Sequence, residues 1–155
     1  MRFDTSRAAQ LIRAARLDAG LTQAELATRA GVQPTSLEQM ESGDRDVSAD
    51  LLEEILRAAD YRPALPLSEN AAAIRDAATR LGFARPRVFG SAARGSDHFT
   101  SDIDLMVTAG PGTDLFSLAL LADEVERLTG FRADIVDDVR AAELMPEALA
   151  EAVPL

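Results

Sequence analysis

Gly90-Ser91-Ala92-Ala93-Arg94-Gly95, six intervening residues, and then Asp102-Ile103-Asp104-Leu105-Met106-Val107 form the stretch on which the fold turns. The second part alternates polar and apolar side chains, as a half-buried strand does. Arg87-Val88-Phe89 reads as a short strand feeding Gly90. Strand residues two apart share a face, which sets the Asp102 and Asp104 carboxylates side by side. Asp134 lies in the middle of a further strand predicted over 132–136, placed to join the same face.

Two adjacent carboxylates repel, and one of them holds its proton more tightly. A divalent cation relieves that conflict, and Mg²⁺ favours one or two carboxylates together with substrate phosphates. Three acids around such a centre is the layout of two-metal phosphoryl chemistry. Gly90 lets the backbone approach an anion, while the N–H groups and hydroxyl at Ser91 point toward a phosphate. Arg94 then neutralises a further phosphate oxygen. A lone Asp-x-Asp is ordinarily a solvated strand edge. Its order after Gly-Ser, with a third acid following, is what makes the combination specific.

Outward from this stretch, the second half alternates short strands with helices predicted over 68–81, 114–129 and 143–153, the last with Pro146 near its start. The pattern predicts two domains: a compact all-α bundle of four or five short helices, then a small α/β domain with a mixed sheet, too few-stranded to be doubly wound. Pro63 and Pro66 predict an extended linker over 63–67, separating residues 1–62 from 68–155. Ahead of it, a helix over 6–19 is closed by Gly20, and Thr22-Gln23-Ala24-Glu25 is a capping box. Pro34 suits the first turn of a third helix that Gly43 ends, and Ser48 caps a fourth.

The 155 residues are 47% apolar and 27% charged, enough to bury a core and too apolar for a disordered chain. No stretch approaches the ~20 apolar residues that span a bilayer, and the first residues carry no secretory pattern. A cytoplasmic protein, with no membrane partner, is expected. Absence of Cys excludes disulfides, thiolate zinc and a Cys nucleophile. All 16 basic residues are Arg, which excludes a Schiff-base lysine and a lysine-dependent phosphate loop. The net charge of −10 argues against broad coating of nucleic acid and leaves room for a local contact.

Gly90-Ser91…Arg94-Gly95…Ser101-Asp102-Ile103-Asp104-Leu105 resembles the signature of the DNA polymerase β-like nucleotidyltransferases, and more narrowly of the minimal nucleotidyltransferases, over roughly 68–155. The resemblance implies Mg²⁺-dependent transfer of a nucleoside monophosphate from an NTP, with ATP as the expected substrate and two ions as cofactors. It implies that Asp102 and Asp104 hold metal. Asp134 would bind the acceptor-side metal and help to deprotonate the incoming hydroxyl. Gly90 and Ser91 would grip the β/γ-phosphates, with Arg94 beside them. Members of this branch often act as antitoxins that add AMP to a partner toxin. Little chain follows the third acid, which favours a protein acceptor over a small molecule in a dedicated pocket.

Leu21-Thr22-Gln23…Gly31-Val32…Leu37-Glu38-Gln39-Met40-Glu41 resembles the Xre/Cro-like helix-turn-helix family over about 6–62. By that resemblance Arg16 pairs with Glu41, and Gln23 touches a DNA phosphate. Gln33, Thr35, Ser36 and Gln39 would reach base edges in the major groove. Arg29 and Arg45 are the nearest phosphate contacts, and Glu38 is a carboxylate on or beside the reading surface. One copy would bind weakly, so a homodimer or a hetero-oligomer with the toxin is expected on operator DNA.

The combined reading is a bifunctional, autoregulating antitoxin. The alternative is a transcription regulator whose second half senses nucleotide without turnover. Outside the site, His98 reads as an exposed loop residue, Tyr61 as packing near the hinge, and Asp137 and Asp138 as turn or cap residues. Phe83, Phe89, Phe99, Phe116 and Phe131 read as core or loop packing. Leu115, Leu118, Leu121, Val125 and Leu128 read as a helical core stripe.

Overall fold

The computed structural model describes residues 2–155, and the chain divides into two compact units, one ending at Arg62 and the other spanning Pro63–Leu155.

The first unit contains a 3₁₀ turn at Thr5–Arg7 and four helices: α1 (Ala8–Asp18), α2 (Gln23–Ala30), α3 (Pro34–Ser42) and α4 (Ala49–Ala58). The helix expected from residue 6 thus begins as a 3₁₀ turn, because Asp4 accepts the Ser6 N–H and holds the chain in the tighter geometry. Thr22 accepts the Glu25 N–H at 3.1 Å and Ser48 accepts the Leu51 N–H at 3.2 Å, which fixes the starts of α2 and α4. Pro34 occupies the start of α3, where a missing N–H costs nothing. Leu11, Ile12, Leu26, Leu37, Met40, Leu52, Ile55 and Leu56 are buried at the centre. Arg16 clamps this core: it donates to both Glu41 carboxylate oxygens at 2.6–3.1 Å and to the Leu21 carbonyl at 3.0 Å. Tyr61 is buried and meets Phe3 edge-on at 5.9 Å between ring centroids.

The second unit opens with a helix where an extended linker is expected. Residues 64–67 belong to α5 (Ala64–Glu69): Pro63 is its N-cap and Pro66 falls in the first turn, where an N–H has no intrahelical partner. Pro66 and Leu67 are buried, so the segment belongs to the core of this unit. The helix expected over 68–81 is interrupted at Asn70, and α6 (Ala71–Arg80) follows.

Four strands, β1 (Phe83–Phe89), β2 (Ile103–Ala109), β3 (Ala133–Asp137) and β4 (Val153–Pro154), form a mixed sheet in the order β3-β2-β1-β4. β1 is antiparallel to both β2 and β4, whereas β2 and β3 are parallel. Between β1 and β2 lies the one-turn helix α7 (Gly90–Arg94), and α8 (Leu115–Thr129) returns the chain to β3. On β2, Ile103, Leu105 and Val107 are fully buried, and they alternate with Asp104, Met106 and Thr108 on the other face. Phe99 packs edge-on against Phe131 at 6.0 Å, anchoring the 95–101 loop to the chain entering β3.

The single terminal helix expected over 143–153 is two helices, α9 (Asp138–Leu144) and α10 (Pro146–Glu151), followed by the unforeseen β4. Pro146 disfavours the helical region for Met145, which adopts φ −147° and ψ 62° and bends the chain there. Asp137 does cap α9, accepting the Arg140 N–H at 2.8 Å. Asp138 is the first residue of α9 rather than its cap. It accepts from Thr108 Oγ1 at 2.6 Å and from the buried Arg87 at 2.9 Å, which fastens α9 to the sheet face that carries Asp104. The expected stripe on α8 is partly exposed: Leu121 and Val125 are buried, but Leu115 is 73% exposed. Phe116, expected to pack, is 80% exposed. Both lie in the first turn of α8, just past its Asp114 cap. No helix among the described residues is long and apolar enough to cross a membrane.

Candidate functional site

The site begins with strand register. Asp104 is the pairing partner of Asp134 across the parallel β2–β3 ladder, and Phe89 is its partner across the antiparallel β1–β2 ladder. Register partners lie about 5 Å apart and point to the same face, so Asp104 and Asp134 stand beside each other. Gly90 leaves β1 immediately after Phe89, on the other side of Asp104.

Gly90 has φ +71°, a left-handed conformation that side chains resist. A Cβ there would stand 3.1 Å from the Asp104 Cγ and 3.3 Å from its Cβ, and would overlap the Oδ2 carboxylate oxygen. The glycine therefore provides both a backbone turn and the space that the Asp104 carboxylate fills. Partial burial raises the Asp104 pKa above the ordinary carboxylate value, and the charges of Asp134 and Asp102 push it the same way. Arg94 opposes that rise and Glu151 adds to it.

Asp102 precedes β2 rather than belonging to it, so the strand pleat does not fix its side chain against Asp104. Asp134 is half-exposed, with Arg132 3.6 Å from its Oδ1. The three acids are thus coupled electrostatically. Yet among the described residues no three Asp, Glu, His or Cys side chains gather as a ready-made metal cluster. The donor chemistry still suits Mg²⁺, which takes one or two carboxylates and completes its shell with substrate phosphates and water.

The anion-facing groups are arranged around a residue that the sequence reading did not single out. Glu151, in the last turn of α10, accepts the Gly90 N–H at 2.9 Å. The same carboxylate accepts two hydrogen bonds from Arg94, at 2.9 and 3.0 Å, and both partners lower its pKa. Ser91 is half-buried beside them. A cavity of about 580 Å³ adjoins this point, lined by Phe89, Gly90, Arg94, Met145, Pro146 and Glu151 among others. The chain bends at Met145, and Met145, Pro146 and Glu151 supply one side of this open cavity. His98 is exposed in the loop ahead of the acids, where its N–H donates to Ser101 Oγ at 2.9 Å.

In the first unit, Gln33, Thr35 and Gln39 are exposed at the cap and along α3, with Glu38 exposed among them. Gln23 is the first residue of α2 and half-buried. Ser36 is also half-buried, and its hydroxyl accepts from Arg45 at 2.9 Å. Gln33, Thr35, Ser36 and Gln39 thus occupy one short helix and its cap, while Gln23 stands at the start of the helix before it.

Comparison with known proteins agrees with both units. The helix-turn-helix family pattern matches residues 12–65, and the pattern of the polymerase β nucleotidyltransferases matches residues 86–155. A Methanocaldococcus jannaschii protein, provisionally named a protein adenylyltransferase, is 40% identical over 55 residues. That match covers 36% of this chain and 59% of the relative's length. A solved structure described provisionally as a minimal nucleotidyltransferase is 39% identical, with a TM-score of 0.54, covering 59% of this chain and 95% of the other. A chain from a crystal structure of a toxin–antitoxin with AMP-PNP is 22% identical, with a TM-score of 0.44, over 52% of this chain and 70% of its own. By its carboxyl-terminal unit the chain belongs to the minimal nucleotidyltransferases of the polymerase β superfamily, here preceded by a helix-turn-helix domain.

Proposed function

We propose that this protein transfers a nucleoside monophosphate, AMP from ATP, to a hydroxyl of a partner protein, and that it is the antitoxin of a toxin–antitoxin pair. The observation that carries the chemistry is the register pairing of Asp104 with Asp134 beside the turn at Gly90. In this reading the Gly90 N–H, Ser91 and Arg94 hold the β- and γ-phosphates, which sets the α-phosphorus over Asp104. The acceptor oxygen attacks that phosphorus, and the bond from phosphorus to the bridging β-oxygen breaks. Pyrophosphate leaves with the bonding pair, and Asp134 takes the hydroxyl proton. Asp102, Asp104 and Asp134 are the residues that would hold the divalent cation, which when bound neutralises phosphate charge and the repulsion among them. The half-exposed position of Asp134 suits an acceptor that arrives from solution on a separate chain.

The helix-turn-helix half supplies the second activity of this reading. Gln33, Thr35 and Gln39 are exposed where a recognition helix reads bases, and operator binding by a dimer or a toxin complex gives autoregulation. The test is to incubate the full chain with Mg²⁺, α-labelled ATP and the product of the adjacent gene. Label on that product, lost in Asp104→Ala, supports the reading. Nucleotide binding without label or pyrophosphate release refutes transfer and favours a nucleotide-sensing regulator.

A further inference from the structure

Two of the donors assigned to the nucleotide tail, the Gly90 N–H and Arg94, already hold an anion, and it belongs to the chain itself. Glu151 accepts from both the Gly90 N–H and the Arg94 guanidinium, at 2.9–3.0 Å. Its Oε1 accepts from both the Gly90 N–H and Arg94 Nη1, while Oε2 accepts from the same Nη1, and a phosphate oxygen can take the place of Oε1 between these donors. We infer that Glu151 is the resident occupant of the phosphate cradle, that an incoming polyphosphate must displace it, and that its return helps to expel pyrophosphate. The inference rests on the nucleotide reading above.

Geometry makes the displacement a side-chain movement. The backbone beyond Glu151 is fixed: Val153 and Pro154 pair with Val88 and Arg87 on β1, and the Leu155 N–H donates to the Pro86 carbonyl at 3.1 Å. Ahead of it, the bond from Arg87 to Asp138 fastens α9. The Glu151 side chain is 31% exposed, so rotation about its own bonds carries the carboxylate into water or into the adjoining cavity. Cradle and stopper are therefore held in register while the stopper itself is free to swing.

Such a competitor lowers apparent affinity by the fraction of molecules whose cradle is vacant. An exposed ion pair with one additional backbone bond is weak enough to open often and strong enough to matter. A monophosphate carries no β- or γ-phosphate to exchange for the carboxylate. A triphosphate or free pyrophosphate does, so Glu151 acts selectively against the ligands that reach Gly90 and Arg94.

The experiment measures binding of ATP, pyrophosphate and AMP to the full chain with Mg²⁺ by calorimetry, for wild type, Glu151→Gln and Glu151→Ala. Thermal melts identify any variant that fails to fold, and the isosteric Gln keeps the helix intact. We expect both variants to bind ATP and pyrophosphate about three- to tenfold more tightly, with AMP unchanged. In turnover, Glu151→Gln lowers KM and lowers kcat, and pyrophosphate becomes a stronger product inhibitor. If ATP binds wild type but the variants bind it equally or less tightly, Glu151 only positions Arg94 and the inference falls alone. If none of the folded chains binds ATP or pyrophosphate, the nucleotide reading falls together with it.

Discussion

Gly90→Ala puts the geometry of the site to its sharpest test, because a second glycine supplies the control. Gly90 and Gly95 have nearly the same backbone, φ +71° and +73°. A Cβ on Gly95 meets nothing within 4 Å, whereas one on Gly90 meets the Asp104 side chain. Gly95→Ala therefore reports left-handed strain alone, about 1–2 kcal/mol before a small offset from the stiffer unfolded chain. Gly90→Ala carries that cost plus a displaced Asp104, about 0.5–1.5 kcal/mol for a side chain forced off its rotamer. The expected total is about 2–3 kcal/mol by urea unfolding of the full chain, with transfer activity reduced at least a hundredfold because Asp104 is misplaced. Adding Asp104→Ala to Gly90→Ala removes the carboxylate that collides, so the double-mutant cycle should return a favourable coupling of about 1 kcal/mol. If Gly90→Ala costs no more than Gly95→Ala, or the cycle shows no coupling, Gly90 is not there to make room for Asp104.

Three other outcomes follow from the same structure. Asp104 binds its proton more tightly in the folded state, so stability should fall as pH rises from the ordinary carboxylate value through the raised one. Asp104→Asn should therefore be more stable than wild type at neutral pH, an advantage that disappears in acid and that urea unfolding at several pH values would record. Glu41→Ala strands Arg16, whose side chain is only 13% exposed, and should destabilise the helical unit by about 3 kcal/mol in a thermal melt. Gln39→Ala should weaken binding to the promoter of the protein's own gene by about 1–3 kcal/mol while leaving binding to random DNA unchanged in a gel-shift titration.

Local signals carried most of the fold. Thr22, Pro34 and Ser48 announce helix starts through nearest-neighbour chemistry, and α2, α3 and α4 begin there. The Arg16–Glu41 pair followed from the helix-turn-helix resemblance. Pro63 and Pro66 misled because a proline breaks a helix in its interior but not in its first turn, and spacing alone does not say which applies. In the candidate site, Asp104 and Asp134 were legible because strand periodicity fixes a face. Asp102 was less so, since it lies one residue outside β2. Glu151 was invisible to local reading. It lies 61 residues from Gly90, and only the bend at Met145 and the β4 pairing bring the two together. Leu115 fits a helical stripe in sequence and Phe116 reads as packing, but both are exposed at the start of α8.

The two-residue strand β4 shields one margin of the sheet, and the residue three places ahead of Pro154 is Glu151. A protease clip in α10, or a ribosome that stops short of it, would therefore do two things at once. It would uncap the β1 border, inviting edge-to-edge aggregation, and it would strip Gly90 and Arg94 of their carboxylate. Ragged preparations should thus be both stickier and greedier for polyphosphate than intact protein, a pairing that mass spectrometry of each purified batch would expose.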